Sequence, residues 1–543
     1  MRRIQASRES DTRIDQPKQE ALRSDEQVRW RDLPNKDQLF IIALCRLSAP
    51  LSNVCLLPYV FYLVRSVLSP SEDGTPDDDA GRIAQYSGLL VAAFPLAQFT
   101  LSLSWGRLSD RYGRRLSIIG GLCVSILANI GFGLSRSIGA LLFWRALAGF
   151  GNANVGLMRT ATAETVKERK YYTKAFLITP LVFKPGMVVT LALSGYLAEP
   201  VKNLPWLFGP HGIWNTTENS KGVEWALQYP YALPPFMTAV ILGIPWILAV
   251  LGLKETLPGR ESYSDIGLRV GAAIFRFIKH LSPSDKKHGY TVVGTEEETS
   301  SEGAESYDEK LEPVAVIEEK QDSLAFRKVW TRKAVCSLVS FGLLPLHNSA
   351  FMHIFPVYLS SPEADNNDST LFAFTGGLGL GSASVGLWLS VFGVCGILLQ
   401  LFIYPRLQAR LGARGVFRIA LFVFPITYAA VPYLSLITDG SSLRWFILGL
   451  VACSQIMART IAIPSTVILL TQAAPSKKVL GTIHGGGHML ASLARAVGPA
   501  LGGYVFAVGV QHGVVGLVWW FYLFTIAVCA LAWSYFMDTD NVQ

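Results

Sequence analysis

Charged side chains are scarce in this chain: Asp, Glu, Lys and Arg make up 16% of it, against 50% apolar residues. An ordinary soluble globule carries about a quarter of its residues as charges, so lipid must be part of the solvent. Cysteine is also sparse. All seven (Cys45, Cys55, Cys123, Cys336, Cys395, Cys453 and Cys529) lie in apolar stretches with no close pair at metal-ligand spacing, which points to packing and away from a metal site. No P-loop, nucleophile elbow or zinc signature occurs, so ATP-driven transport and catalysis have no residues behind them. The expectation is no enzyme, no cofactor and no metal. The opening 35 residues are polar and mixed in charge, without the short apolar core of a cleavable leader.

Long apolar runs are what the chain has in plenty. A segment of about 20 apolar residues crosses a hydrocarbon core about 30 Å thick. Twelve such windows can be read, near 38–64, 84–104, 116–135, 139–162, 174–197, 232–252, 334–359, 384–404, 415–437, 443–471, 479–506 and 514–536. Six precede a long hydrophilic stretch and six follow it. The expected domains are a polar tail over 1–36, a six-helix bundle over 37–253, a linker over 254–333, a second bundle over 334–536 and a tail over 537–543. Within the linker, Ile266, Val270, Ile274, Phe277, Ile278 and Leu281 recur at helical spacing, with Arg269, Arg276 and Lys279 available to phospholipid headgroups. That predicts a helix over 265–281 lying on the membrane surface. Residues 294–322 are acidic and serine-rich, too polar to bury a core.

Orientation follows from basic residues. With both termini in the cytosol, the short inner turns hold fourteen Lys and Arg, including Arg107, Arg111, Arg114 and Arg115, against six in the outer loops, which satisfies the positive-inside rule. Two glycosylation sequons, at Asn215 and Asn367, both fall in outer loops. The net charge of +8 is therefore topological, and no nucleic-acid partner is expected.

Between the second and third windows runs Trp105-Gly106-Arg107-Leu108-Ser109-Asp110-Arg111-Tyr112-Gly113-Arg114-Arg115. It resembles the signature loop of the major facilitator superfamily, Gly-x-Leu-x-Asp-Arg-x-Gly-Arg-Arg. Arg145 followed four residues later by Gly149 is similar to the superfamily's second motif. With Leu44-Cys45-Arg46-Leu47, Arg159-Thr160 and Glu164, Lys254-Glu255-Thr256-Leu257, Leu480-Gly481-Thr482 and Gly498-Pro499-Ala500-Leu501-Gly502-Gly503, the chain looks like the fungal branch of the twelve-span drug:proton antiporters, related to the plant zinc-induced facilitator-like proteins. The resemblance implies an all-α polytopic membrane protein: twelve transmembrane helices as two six-helix bundles around a central cavity. It also implies efflux of small organic molecules by alternating access, at the plasma membrane or a vacuolar membrane. Three departures stand out: Ala49 before Pro50 where the branch has glutamate, Thr190-Leu191 and Ser194-Gly195 where antiporters carry Gly-Pro, and Lys184 in mid-span. The family's usual proton-coupling groups are thus not carried over.

Taken by themselves, the residues divide by role. Asp110 among Arg111, Arg114 and Arg115 supplies switchable charge pairs for gating, and Gly106 and Gly113 are expected where the backbone is too tight for a side chain. Ionisable groups deep in a span are functional candidates by default. Lys184, His347 and His488 fall near mid-membrane, with Arg145, Arg459 and Arg495 somewhat off it; all are basic. Arg159 and Glu164, five apart on one helix, are a candidate interfacial pair, and Arg46 and Arg495 either face the cavity or snorkel. His484 and His488, four apart, form a candidate titrating pair. Asn53, Asn152, Asn154, Phe183, Asn348 and Gln455 suit a flat amphipathic molecule, and Gly498, Pro499, Gly502 and Gly503 suit close helix packing. A basic cavity without a buried acid attracts anionic or electron-rich solutes. The expectation is a monomeric, proton-coupled exporter of a secondary metabolite, toxin or xenobiotic. An uptake carrier or uniporter for an organic anion and a transporter-like solute sensor are the alternatives.

Overall fold

The structure is a computed structural model that describes residues 33–68, 76–153, 155–166, 171–216, 219–257, 265–281, 330–364, 370, 372–437, 441–475 and 480–536. Among them there is no strand. In hydrocarbon every backbone N–H and C=O must be satisfied within its own segment, and the helix does that.

Among the described residues each of the twelve expected windows is mostly helical. The first span is broken into Lys36–Cys45, Ser48–Val54 and Val60–Leu68; Pro58, which lacks an N–H, lies in the second gap. Spans two and three are Pro76–Tyr112 and Arg114–Gly133. The fourth is split at Gly151 into Ile138–Gly151 and Val155–Thr165. The fifth and sixth are Tyr172–Leu197 and Leu233–Gly252, joined by an ordered connection with three short helical turns, Pro200–Asn203, Pro205–Phe208 and Glu224–Gln228. A helix over Ile266–Leu281 follows, where the linker periodicity predicts one. The second half opens with Arg332–Ser360. Span eight is Ser382–Leu398 continued by a π-turn at Leu399–Ile403. The helix Tyr404–Ala430 then reverses at Gly412, whose φ of 67° lies in the left-handed region, so its two parts belong to spans eight and nine. Ser442–Gln472, Leu480–Gln511 and Val518–Phe536 complete the set.

Because spans alternate in direction, every connection lies at one of two ends. The end bearing residues 33–37 and 530–536 is called proximal here, and the opposite end distal. Proximal ties include Asn35 Nδ2 donating to the Thr165 carbonyl at 3.1 Å and Trp533 Nε1 to the Cys336 carbonyl at 3.1 Å. The core of the second half is aromatic: Phe351, Phe355, Tyr358, Phe424, Tyr428 and Trp519 are buried and pack ring against ring, stacked or edge-on. The perimeter is apolar too, with Leu116, Leu127, Val240, Ile244, Phe422, Phe446 and Phe521 exposed. An apolar belt of this extent would be a liability in water and is what a bilayer requires.

Candidate functional site

The two halves meet chiefly through spans two and eleven and through spans five and eight. At the distal end this contact is backbone on backbone. A Cβ on Gly195 would stand 2.5 Å from the Ser382 carbonyl oxygen, and one on Gly386 would stand 2.7 Å from the Leu191 oxygen. Across spans two and eleven, a Cβ on Gly88 would stand 2.5 Å from the Pro499 oxygen, and one on Gly503 would stand 2.6 Å from the Ala84 oxygen. Hydrogen bonds add to the seal: Tyr62 Oη donates to the Leu380 carbonyl at 2.5 Å, Ser390 Oγ to the Val188 carbonyl at 3.0 Å, and Asn203 Nδ2 to Ser382 Oγ at 3.3 Å. Gly498 and Gly502 pack within the second half instead, against Leu346, Ser349 and Ile354 of span seven.

Below the seal lies a cavity of about 330 Å³ between span five of the first half and spans seven, eight and ten of the second. Phe183, Met187, Phe351, Met352, Phe355 and Phe392 give it aromatic and thioether walls, and Gln400, Gln455, Lys184 and Arg459 give it polarity. Gln455 Nε2 donates to Asn348 Oδ1 at 3.3 Å. Arg459 Nη1 lies 3.2 Å from the Met352 sulfur. Lys184 has no hydrogen-bond or ion-pair partner among the described residues, and its electrostatic neighbour is Arg459. Among the described residues the cavity thus holds two basic side chains from opposite halves and no carboxylate in its lining.

Other candidates lie outside this cavity. Arg145 is buried, 4% exposed, and donates to the Ser52 carbonyl at 2.6 Å, the Leu90 carbonyl at 3.3 Å and Asn53 Oδ1 at 3.3 Å, with Phe94 beneath it. It satisfies the carbonyls freed where span one breaks, and Asn53 serves the same joint. Asn152 donates to Ser125 Oγ at 3.0 Å and the Ala148 carbonyl at 2.9 Å, closing the break in span four. His347 sits in the aromatic core, with Nδ1 2.8 Å from Tyr428 Oη and its ring against Phe424. Asn154 and Asn367 lie outside the described residues. Asn215 is at the distal end, donating to the Pro210 and Asn219 carbonyls at 2.8 and 2.9 Å.

At the proximal end the signature loop forms a charge network. The helix of span two runs on to Tyr112, so the turn is the single residue Gly113, with φ 111°. A Cβ there would collide with Glu255. Gly106, expected at a tight backbone, is instead within the helix and faces open space; no steric need for glycine exists there. Glu255 accepts from the backbone N–H groups of Arg114 at 2.8 Å and Arg115 at 3.2 Å, capping the third span where the helix dipole favours an anion. Arg114 pairs with Asp110 and, at 3.2 Å, with Glu164, which also accepts from Thr256 Oγ1 at 2.8 Å. Arg115 pairs with Asp265, whose carboxyl it holds below the usual range. Arg111 stays outside, over the Tyr112 ring.

The expected Arg159–Glu164 pair does not form. Glu164 turns to Arg114, whereas Arg159 Nη1 contacts His488 Nε2 of the other half. His484 Nε2 is 3.0 Å from Thr471 Oγ1. Glu255 and Asp265 were missed as members of the network, although Glu255 stands in a motif that carries the family resemblance.

Two helical halves sealed at one end around a mid-membrane cavity define a transporter rather than an enzyme. The Major Facilitator Superfamily model matches residues 42–364, and the chain belongs to that superfamily. It is 33% identical over 516 residues to the major facilitator superfamily multidrug transporter mfsB of Aspergillus fumigatus, covering 90% of this chain and 81% of the relative. It is 24% identical to protein zinc induced facilitator 1 of Arabidopsis thaliana, covering 88% and 85%. Among solved structures, the human organic anion transporter MFSD10 superposes with a TM-score of 0.52 at 18% identity, covering 93% of this chain and 100% of that one, which speaks to the fold.

Proposed function

We propose that the protein exports a small amphipathic organic compound, a secondary metabolite, toxin or xenobiotic, by alternating access driven by the proton gradient. The observation that carries this reading is the cavity of about 330 Å³, with walls from both halves, aromatic surfaces and the Lys184 and Arg459 cations without a counter-carboxylate. Its volume falls at the lower end of the range of about 300–1,000 Å³ that suits small organic ligands. Flat, largely apolar, neutral or anionic solutes fit it, and cations are repelled. The Aspergillus fumigatus relative is named a multidrug transporter, which supports small organic compounds as the cargo.

In this reading the proximal end faces the cytosol, in keeping with its basic turns and with Asn215 at the distal end. The distal seal then makes this the cytosol-facing arrangement. The Asp110–Arg114–Glu164 network is a latch that re-forms its pairs as the halves rock. Protons are the coupling ion, with His484 and His488 as the imidazoles at the interface between the halves. The protein works as a single chain at the plasma membrane.

The test is accumulation of labelled amphipathic anions and cations in transporter-depleted yeast expressing wild type or Lys184→Ala, with and without a protonophore. Wild type should deplete anions from cells, the protonophore should abolish that, and Lys184→Ala should weaken it. Movement that ignores the gradient points to a uniporter, and no movement of any solute points to a sensor.

A further inference from the structure

Five basic side chains gather on the proximal side where the halves meet, and none has a carboxylate partner among the described residues. Arg46 comes from the first break in span one, Arg159 from span four, and His484, His488 and Arg495 from span eleven. Arg159 and His488 touch across the interface. Arg46 and Arg495 lie within electrostatic range of Arg159, and all of them, with His484, act on His488. Arg46 Nε is buried without a hydrogen bond. Arg495 reaches only its own helix, through the Ala491 carbonyl at 3.2 Å and Ser492 Oγ at 3.1 Å. The nearest acid in sequence, Glu164, is committed to Arg114 and Thr256. The charge that acts on Lys184 is the like charge of Arg459, and none of the five is among its electrostatic neighbours.

Three guanidinium groups and two imidazoles gather where the halves meet, with Arg46 partly buried and Arg159 and Arg495 exposed; they repel one another, and an anion that joins them offsets that repulsion. Guanidinium forks match planar carboxylate and phosphate oxygens. We infer that this cluster is an oxyanion site, separate from the Lys184–Arg459 cavity, in which a carboxylate or phosphate group bridges Arg46 and Arg159 of the first half to His488 and Arg495 of the second. The bound anion is a removable tie between the halves on the proximal side of the seal. Its source is either the acid group of a transported solute or a free inorganic anion.

The experiment is thermal unfolding of the purified full chain in detergent, followed by tryptophan fluorescence. Sodium phosphate is titrated against sodium chloride at equal ionic strength, and 1-naphthoate against neutral 1-naphthol. Phosphate should raise the Tm saturably and chloride should not, because a ligand that binds only the folded state stabilises it by mass action. Arg46→Gln and His488→Gln should each weaken phosphate about tenfold, the loss of one charge-assisted contact, while Lys184→Ala leaves it unchanged. Without added anion, Arg46→Gln should unfold no lower than wild type, since it removes an uncompensated charge. A shift from 1-naphthoate alone that needs Arg46 assigns the oxyanion to the solute and keeps the site. The inference is overturned if neither probe outdoes its control. It is equally overturned if the phosphate shift survives both Arg46→Gln and His488→Gln, or if Lys184→Ala abolishes the phosphate shift.

Discussion

Gly195→Val should open the distal end of the protein. The Cβ it introduces would lie 2.5 Å from the Ser382 carbonyl oxygen and 2.9 Å from the Gly386 Cα. Both are backbone atoms, so no flexible side-chain tip can yield, and the fifth and eighth spans must part. Overpacking of this kind costs about 1–3 kcal/mol. In a two-state transporter the cost falls on the distally sealed form alone. At about 2 kcal/mol the ratio of sealed to open molecules drops about 30-fold, taking 1.4 kcal/mol per factor of ten. Spin labels at the exposed distal positions Lys202 and Phe372, in a cysteine-free background, read the separation of the halves by pulsed electron–electron resonance. Wild type should give mainly the short distance and Gly195→Val mainly a longer one. Gly243→Val is the control, since nothing lies within 4 Å of a Cβ there. Identical distance distributions in Gly195→Val and wild type would refute the account of the seal, as would an equal change in Gly243→Val.

Three further outcomes are expected. Gly113→Ala combines a left-handed φ of 111° with a collision against Glu255, and should destabilise the folded protein by about 1–3 kcal/mol, measured as a lower thermal midpoint; a neutral change would mean the turn is not needed. Arg114→Gln and Glu164→Gln should be non-additive, with a coupling of about 0.5–3 kcal/mol in a double-mutant cycle, whereas additivity would sever the pair. The Asp265–Arg115 contact holds the Asp265 carboxyl below its ordinary value, so its stabilisation is full above the unfolded carboxylate pKa of about 3.9 and is lost as pH falls through the lower folded value. Hydrogen exchange over 266–281 should therefore be flat from pH 7 to 5 after correction for intrinsic rates and faster in Asp265→Asn; equal rates in the two proteins would show that the ion pair does not hold that helix.

Much of the architecture was readable from the chain because lipid imposes a coarse rule. A span must be apolar over about 20 residues and helical, and that rule is local, so twelve windows and the amphipathic 265–281 helix could be read without knowing what touches what. The signature turn was readable for a similar reason, being contiguous. Its partners were not. Glu255 and Asp265 stand 142 and 152 positions beyond Gly113 in sequence, and only folding brings them to the start of span three. Glu164 was read with Arg159 because helical spacing allows it, yet the closer competitor was an arginine on another helix.

The cavity shows the same division. Phe183, Lys184, Gln455 and Arg459 were legible because polar and aromatic groups in a span invite notice. The wall formed by Phe351, Met352, Phe355 and Phe392 was invisible, since an apolar residue in an apolar helix carries no mark of the face it presents. His347 and Arg145 carried the mark and turned out to be spent on an aromatic core and on broken-helix carbonyls. Sequence alone therefore determined that the chain crosses a membrane repeatedly in two similar halves, because hydropathy is a sum over neighbours. Tertiary structure alone decided which basic groups stand without an acid among the described residues, where the backbones close and which walls enclose the cavity. Those depend on the rotation of each helix about its axis, which is set by packing against helices far away in the chain.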